Sequence, residues 1–162
     1  MIRPFIPADL PAICAIQAHC PQAAQWRESD YQRLADDDGG TILVAEISGA
    51  TTPQIAGFCA YLRLGEEAEL RNLAIHPTQQ RKGIARALLV EGAGRMRKLG
   101  VRQIFLEGRA SNQPALALYH SLGFRLLYKR RNYYHHPEED ALVMACDVTR
   151  SSEPIELHRE LT

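Results

Sequence analysis

Between Gln80 and Tyr134 the chain carries, in order, groups suited to bind an anion, take a proton and give one. The segment Gln80, Arg81, Lys82, Gly83, Ile84, Ala85 joins a strand pattern to a helix pattern. Free N–H groups at a helix start, with the positive end of the helix dipole, attract anions. Gly83 and Ala85 leave room for a ligand to approach the main chain. Arg81, Lys82 and Arg86 crowd that positive end, a repulsion that a bound anion relieves. The turn has neither the Gly-Lys-Ser/Thr ending of a Walker A loop nor the glycine spacing of a dinucleotide turn. Further on, QIFLE from Gln103 to Glu107 alternates as a strand does, placing Glu107 on the face of Phe105. In an α/β sheet covered on both faces this carboxylate is semi-buried. Burial without a paired cation raises a carboxyl pKa, which suits a general base for an amine. Asn112 and Tyr119 lie two helical turns apart, so one cleft can receive an amide hydrogen-bonder and a phenol able to protonate a leaving group.

Taken singly, each feature has a plainer reading. The turn is also what an exposed basic loop before a helix looks like. Glu107 could be solvated, or paired with Arg71 or Arg109. Tyr119 could be a core aromatic with a satisfied hydroxyl. His135 and His136 beside Glu138 and Glu139 fall in an expected hairpin loop and make a poor metal site. Lys129, Arg130 and Arg131 read as a solvated strand face.

The elements that must position these groups are legible from periodicity. Met1–Pro7 reads as a strand, Asp9 as the cap of a helix carrying Leu10, Ile13, Ile16 and Gln17, and Glu28–Ala35 as a second short helix. Strands are expected over Thr41–Ile47, Ile55–Leu64 and Ala68–Ile75, an antiparallel meander. From Arg81 the period turns helical, with Ile84, Leu88, Met96 and Leu99 on one stripe ending at Gly100. Gly92 and Gly94 allow close packing on the sheet. A strand over Val101–Glu107 follows. Capping residues Ser111 to Gln113 and Pro114 open a helix that Gly123 ends. Phe124–Lys129 and Ala141–Val148 are the last strands, joined by NYYHHPEED, and a polar tail follows from Thr149.

Composition narrows the classes. The chain has 162 residues, enough for one well-buried core. Its 19 basic and 19 acidic residues cancel, so no overall field draws it to nucleic acid or to an anionic membrane. Cys14, Cys20, Cys59 and Cys146 form no CxxC pair, and the start has no signal-peptide core; reduced cytosolic thiols are expected. No run reaches the roughly 20 apolar residues of a membrane span. A cytoplasmic protein is expected, a monomer or weak dimer.

The joint order of these segments resembles the GNAT N-acetyltransferases. Their Q/R-x-x-G-x-G/A signature is present as Gln80 to Ala85, and LEGRASNQPALALYHSLGF with RRNYY and EDALVM is similar to the RimI branch. Members of that branch acetylate the N-terminal alanine of a ribosomal protein. The likeness covers most of the chain from about Leu70 to Val148; residues 1–50 match in layout only. It implies an α/β GNAT fold over residues 1–148, with a tail over 149–162. The sheet would be mixed and mostly antiparallel, splayed between two parallel strands, those ending at Ile75 and Glu107, with helices on both faces. It implies acetyl-CoA as co-substrate and no metal. Leu73, Ala74 and Ile75 would offer main-chain bonds to the acetyl-pantetheine end; Arg81, Lys82, Gly83, Ile84, Ala85 and Arg86 would hold the pyrophosphate, and Asn112 would contact the cofactor. Glu107 falls on the family's base and Tyr119 on its acid. Two departures stand out: Gly108 replaces the usual valine, and the C-terminal tail is long. RRNYY and the EDALVM strand favour a peptide N-terminus as acceptor, with the acidic run Glu66, Glu67 and Glu69 expected to steer a basic one. Lysine side chains or a small amine are the alternative acceptors. A non-catalytic acetyl-CoA-binding module is the other alternative, disfavoured because it would need neither Glu107 nor Tyr119.

Overall fold

The computed structural model describes residues 1–49 and 51–149. The expected tail from residue 150 onward lies outside them. The elements are β1 (Ile2–Pro4), α1 (Leu10–Ala18), α2 (Glu28–Asp36), β2 (Gly40–Ile47), β3 (Gln54–Leu64), β4 (Glu67–Ile75), α3 (Ile84–Lys98), β5 (Gln103–Arg109), α4 (Gln113–Ser121), β6 (Arg125–His135) and β7 (Glu138–Asp147). The seven strands run in the order β1-β2-β3-β4-β5-β7-β6, mixed with one parallel pair, which is the expected α/β architecture. Among the described residues two compact units are present, one of 1–64 with Leu70–Gly92, the other of Gly65–Glu69 with 93–149.

In the first unit β1, β2 and β3 pair antiparallel. Strand alternation sends Ile42, Val44, Phe58 and Ala60 to one face, where Ile13, Ile16 and Tyr31 of α1 and α2 close a core. The Tyr31 ring meets Phe58 edge-on at 5.7 Å and Trp26 at 5.0 Å. Alternate residues such as Cys59 and Tyr61 face α3. A Cβ added at Gly92 would come within 2.5 Å of the Tyr61 ring, so that glycine does allow a close approach. Gly94 has open space instead.

Asp9 does not cap α1 through its side chain. Its carboxylate accepts from Arg3 Nη1 and Nη2 at 2.8 and 2.9 Å and from Ile6 N at 2.9 Å. The Arg3 guanidinium holds that carboxyl below the usual carboxylate range. A buried acid takes the full charge partner in preference to an N–H of the next turn. The helix expected from Arg81 begins at Ile84, and Leu99, expected on its apolar stripe, is exposed.

In the second unit β7 pairs antiparallel with β5 on one side and with β6 on the other. β6 is far longer than expected, because NYYH continues the strand through a bulge between Arg130 and Tyr134. Asn132, at φ 51°, sits in that bulge, and its N–H donates to Asp140 Oδ1 at 3.0 Å. The turn therefore shrinks to the residues around His136 and Pro137. Where β4 begins, the Glu66 carbonyl accepts from Arg102 N at 2.7 Å and from Gln103 N at 3.4 Å. Among the described residues no helix is long and apolar enough to cross a membrane.

Candidate active site

The turn before α3 belongs to the first unit. Arg81 and Gly83 both have left-handed φ, 63° and 84°. Gly83 adopts that conformation without a Cβ penalty, and apart from its chain neighbours nothing described lies within 4 Å of where its Cβ would stand. The main chain is therefore open to a ligand at the start of a 15-residue helix with no acid in its first turn. Arg81, Lys82 and Gly83 are exposed, and Ile84, Ala85 and Arg86 are half-buried. Gln80 Nε2 ties the turn back to the Ile75 carbonyl at 3.2 Å, and Lys82 Nζ reaches Gln79 Oε1 at 3.2 Å.

The strand end that precedes it is partly committed already. Leu73 N donates to Asn72 Oδ1 at 3.0 Å, and the Ile75 carbonyl also accepts from Cys20 Sγ at 3.2 Å. Ala74 and Ile75 are buried. Asn72 is itself pinned: its Nδ2 donates to Tyr31 Oη at 2.9 Å and to the Ala24 carbonyl at 3.0 Å, and its Oδ1 accepts from Ala24 N at 3.1 Å. The Tyr31 hydroxyl in turn donates to Gln17 Oε1. This buried polar chain fastens the loop between α1 and α2 to β4. Nothing in the hydrophobic pattern announced it, although Gln17 and Asn72 in apolar runs were its visible trace.

Glu107 and Tyr119 lie in the second unit. Glu107 is semi-buried as expected, with its side chain 25% exposed, but it is not without a cation. Arg130 Nε stands 3.2 Å from Glu107 Oε1. The pairing crosses β7: Glu107 faces Val143, Arg130 faces Ala141, and the small buried alanine lets the guanidinium pass over. Arg109, one of the partners read from sequence, binds Glu139 Oε1 instead at 3.0 Å and lies 4.0 Å over the Tyr134 ring. Ser111 and Arg109 hold the Glu139 carboxyl below its ordinary range. Tyr133 donates a hydrogen bond to the Glu107 carboxylate, which raises the phenol's pKa. By sequence Arg130 reads as part of a solvated face, and the bulge that brings Tyr133 to Glu107 has no sequence signature.

Tyr119 is buried, 8% exposed, and stacks edge-on with Phe124 at 6.0 Å. Desolvation, with a smaller contribution from Tyr134, pushes its pKa up to about 12. Its ring lies under Gly108, whose Cβ position is 3.8 Å from Tyr119 Cε2 and 3.3 Å from Leu116 Cδ2. A valine there would crowd α4. Asn112 caps α4, its Oδ1 accepting from Ala115 N at 3.4 Å, so the amide oxygen already has a structural duty. The acidic run has two sets of neighbours. Glu66 and Glu67 line a hollow with Arg102, Gln103, Asp147 and Thr149 at the start of β5, whereas Glu69 is close enough to Tyr133 to raise its pKa. Glu67 and Glu69 stand two residues apart on one face of β4, and Glu66 precedes the strand. Among the described residues no group of His, Cys, Asp and Glu could hold a metal ion.

Residues 10–124 match the acetyltransferase (GNAT) family. The chain is 37% identical over 143 residues to the ribosomal protein bS18-alanine N-acetyltransferase of Escherichia coli (strain K12), covering 87% of this chain and 93% of that one. The crystal structure of the Escherichia coli ribosomal-protein-alanine enzyme superposes with a TM-score of 0.79 at 33% identity, covering 94% and 96%. That of Ard1 from Thermoplasma volcanium shares the fold, with a TM-score of 0.79 at 22% identity over 91% and 96%. With its signature turn opening α3 and its family match running over most of its length, the chain belongs to the GNAT acetyltransferases.

Proposed function

We propose that this protein moves the acetyl group of acetyl-CoA to the N-terminal α-amine of a protein, with the N-terminal alanine of a small-subunit ribosomal protein as its acceptor. The likeness to the Escherichia coli enzyme of that specificity, over 87% of the chain, is the observation that carries this reading. Residues 1–148 then act as one catalytic domain in the cytoplasm, without nucleic acid or membrane, as a monomer or weak dimer.

In this reading the turn Arg81 to Arg86 holds the pyrophosphate, main-chain groups of Leu73, Ala74 and Ile75 serve the acetyl end, and the Asn112 amide meets the cofactor. Glu107 takes the proton of the acceptor ammonium. An α-amine has a pKa of about 8, so this is a small task at neutral pH. The amine attacks the thioester carbon, main-chain N–H groups stabilise the oxyanion, and the C–S bond breaks as the thiolate leaves. Tyr119 faces that leaving group. Its pKa of about 12 keeps it protonated throughout. A thiol has a pKa of about 8.5, so full transfer to a free thiolate is uphill by roughly 4–5 kcal/mol. Tyr119 therefore acts as a hydrogen-bond donor whose proton follows the breaking bond.

Incubation with acetyl-CoA and a panel of free-N-terminal peptides, lysine peptides and polyamines, read by mass spectrometry, tests the reading. Acetylation at the α-amine of an alanine-first peptide is expected. Preferential modification of internal lysines or polyamines rejects it.

A further inference from the structure

Glu107 meets two donors of its own unit, the Arg130 guanidinium and the Tyr133 hydroxyl. A proton acceptor for an ammonium must offer that ammonium a lone pair. Here Arg130 Nε stands on Oε1 at 3.2 Å. An arginine never gives up its proton, so it has no role as acid or base. It does match an ammonium in charge and in the acceptor it seeks. Its side chain is 45% exposed and its guanidinium lies 5.5 Å from the Tyr133 ring centroid and 5.8 Å from that of Tyr128. Those two faces give the cation a resting place once it leaves the carboxylate.

We infer that Arg130 is a placeholder for the acceptor's ammonium, an internal competitor that the incoming amine displaces from Glu107. This rests on the reading of Glu107 as the base and adds a determinant of acceptor choice. A cationic amine replaces the guanidinium charge for charge, whereas a neutral group would leave the carboxylate without its cation. The site thus selects acceptors that arrive as ammonium ions and stays neutralised between turnovers. Lys129 and Arg131, its neighbours on β6, alternate to the other side of the strand or fall in the bulge, so they do not share this duty.

The test uses the full chain with acetyl-CoA and an alanine-first basic peptide, comparing Arg130→Gln and Arg130→Met with Arg130→Lys. Removing the competitor should lower the acceptor KM about two- to fivefold, the range that a part-exposed pair supports, in both neutral variants. Arg130→Lys should stay close to the parent. The same peptide with propionyl in place of its first alanine has no α-ammonium, and its inhibition constant should not respond to any of the three. An unchanged or raised KM in the neutral variants overturns the inference, leaving Arg130 as a clamp on the hairpin. An equal gain for the propionyl peptide also overturns it. Should the parent prefer lysine peptides, the N-terminal assignment fails, and the same comparison on the lysine acceptor still decides the placeholder role, since that amine is also cationic.

Discussion

Glu107 and Tyr119 stand on opposite faces of β5: Glu107 reaches across β7 to Arg130, and the next residue, Gly108, turns its bare α-carbon toward the Tyr119 ring, 3.8 Å from its Cβ position. Period-two alternation makes this unavoidable once α4 packs under Gly108. In the proposed reaction this puts the base on one face and the proton donor under the other, so that freeing the amine and releasing the thiolate would be separate tasks.

Tyr119→Phe removes the donor while keeping the ring, and should lower kcat by about 10²-fold with little change in acetyl-CoA affinity. Because folding raises this pKa from 10.0 to about 12, the stabilisation is fully present below pH 10.0 and is lost as pH rises through about 12. In thermal melts between those values the parent should lose stability relative to the variant as pH rises. A parent-like kcat contradicts the assignment, and a parent that gains on the variant as pH rises contradicts the burial of the hydroxyl.

Acetyl-CoA affinity depends on the open main chain at Gly83. Gly83→Val must hold a β-branched residue at φ 84° and projects methyl groups into the space left open there. Calorimetric titration should show weaker acetyl-CoA binding than in the parent. Equal affinity in a folded variant removes the pyrophosphate from this turn.

Helix α3 supplies a matched pair of stability tests. Gly94→Ala enters open space and should stabilise by about 0.5–1 kcal/mol through helix propensity. Gly92→Ala drives a methyl into the buried Tyr61 ring and should destabilise by about 1–3 kcal/mol. Urea unfolding of both decides whether α3 packs on β3 as described.

Much of this was legible beforehand, for identifiable reasons. Period-two and helical patterns, with Gly83, Pro114 and Gly123 as punctuation, located every strand and helix to within a few residues, except the last hairpin. There NYYH reads as loop by composition, but the bulge anchored by Asp140 on Asn132 extends β6 to His135. Long-range pairings were the harder part. Arg130 crosses to Glu107 only because register places the small Ala141 beneath it, and Asp9 abandons its cap only because Arg3 lies alongside. Such choices depend on which strands become neighbours, which local pattern does not encode.

Within the acidic run, Glu69 has Tyr133 for a neighbour. Glu69, beside Tyr133, and not Glu66 or Glu67, should attract a basic peptide to the acceptor face. Glu69→Gln should raise the acceptor KM at low salt and converge with the parent at high salt, where the Debye length falls to roughly 3 Å at 1 M. A joint Glu66→Gln, Glu67→Gln variant should behave as the parent. The reverse pattern would give the steering role to the hollow lined by Glu66 and Glu67.

The most direct measurement is the ratio of parent to Glu107→Gln kcat/KM across pH, on an alanine-first peptide. If Glu107 frees the amine, the variant should lag by about 10²-fold near pH 7. The lag should close as pH passes about 8, where the α-amine sheds its own proton. A ratio that stays constant from about pH 6.5 to 9.5, or no lag at all, would contradict a catalytic base at this position.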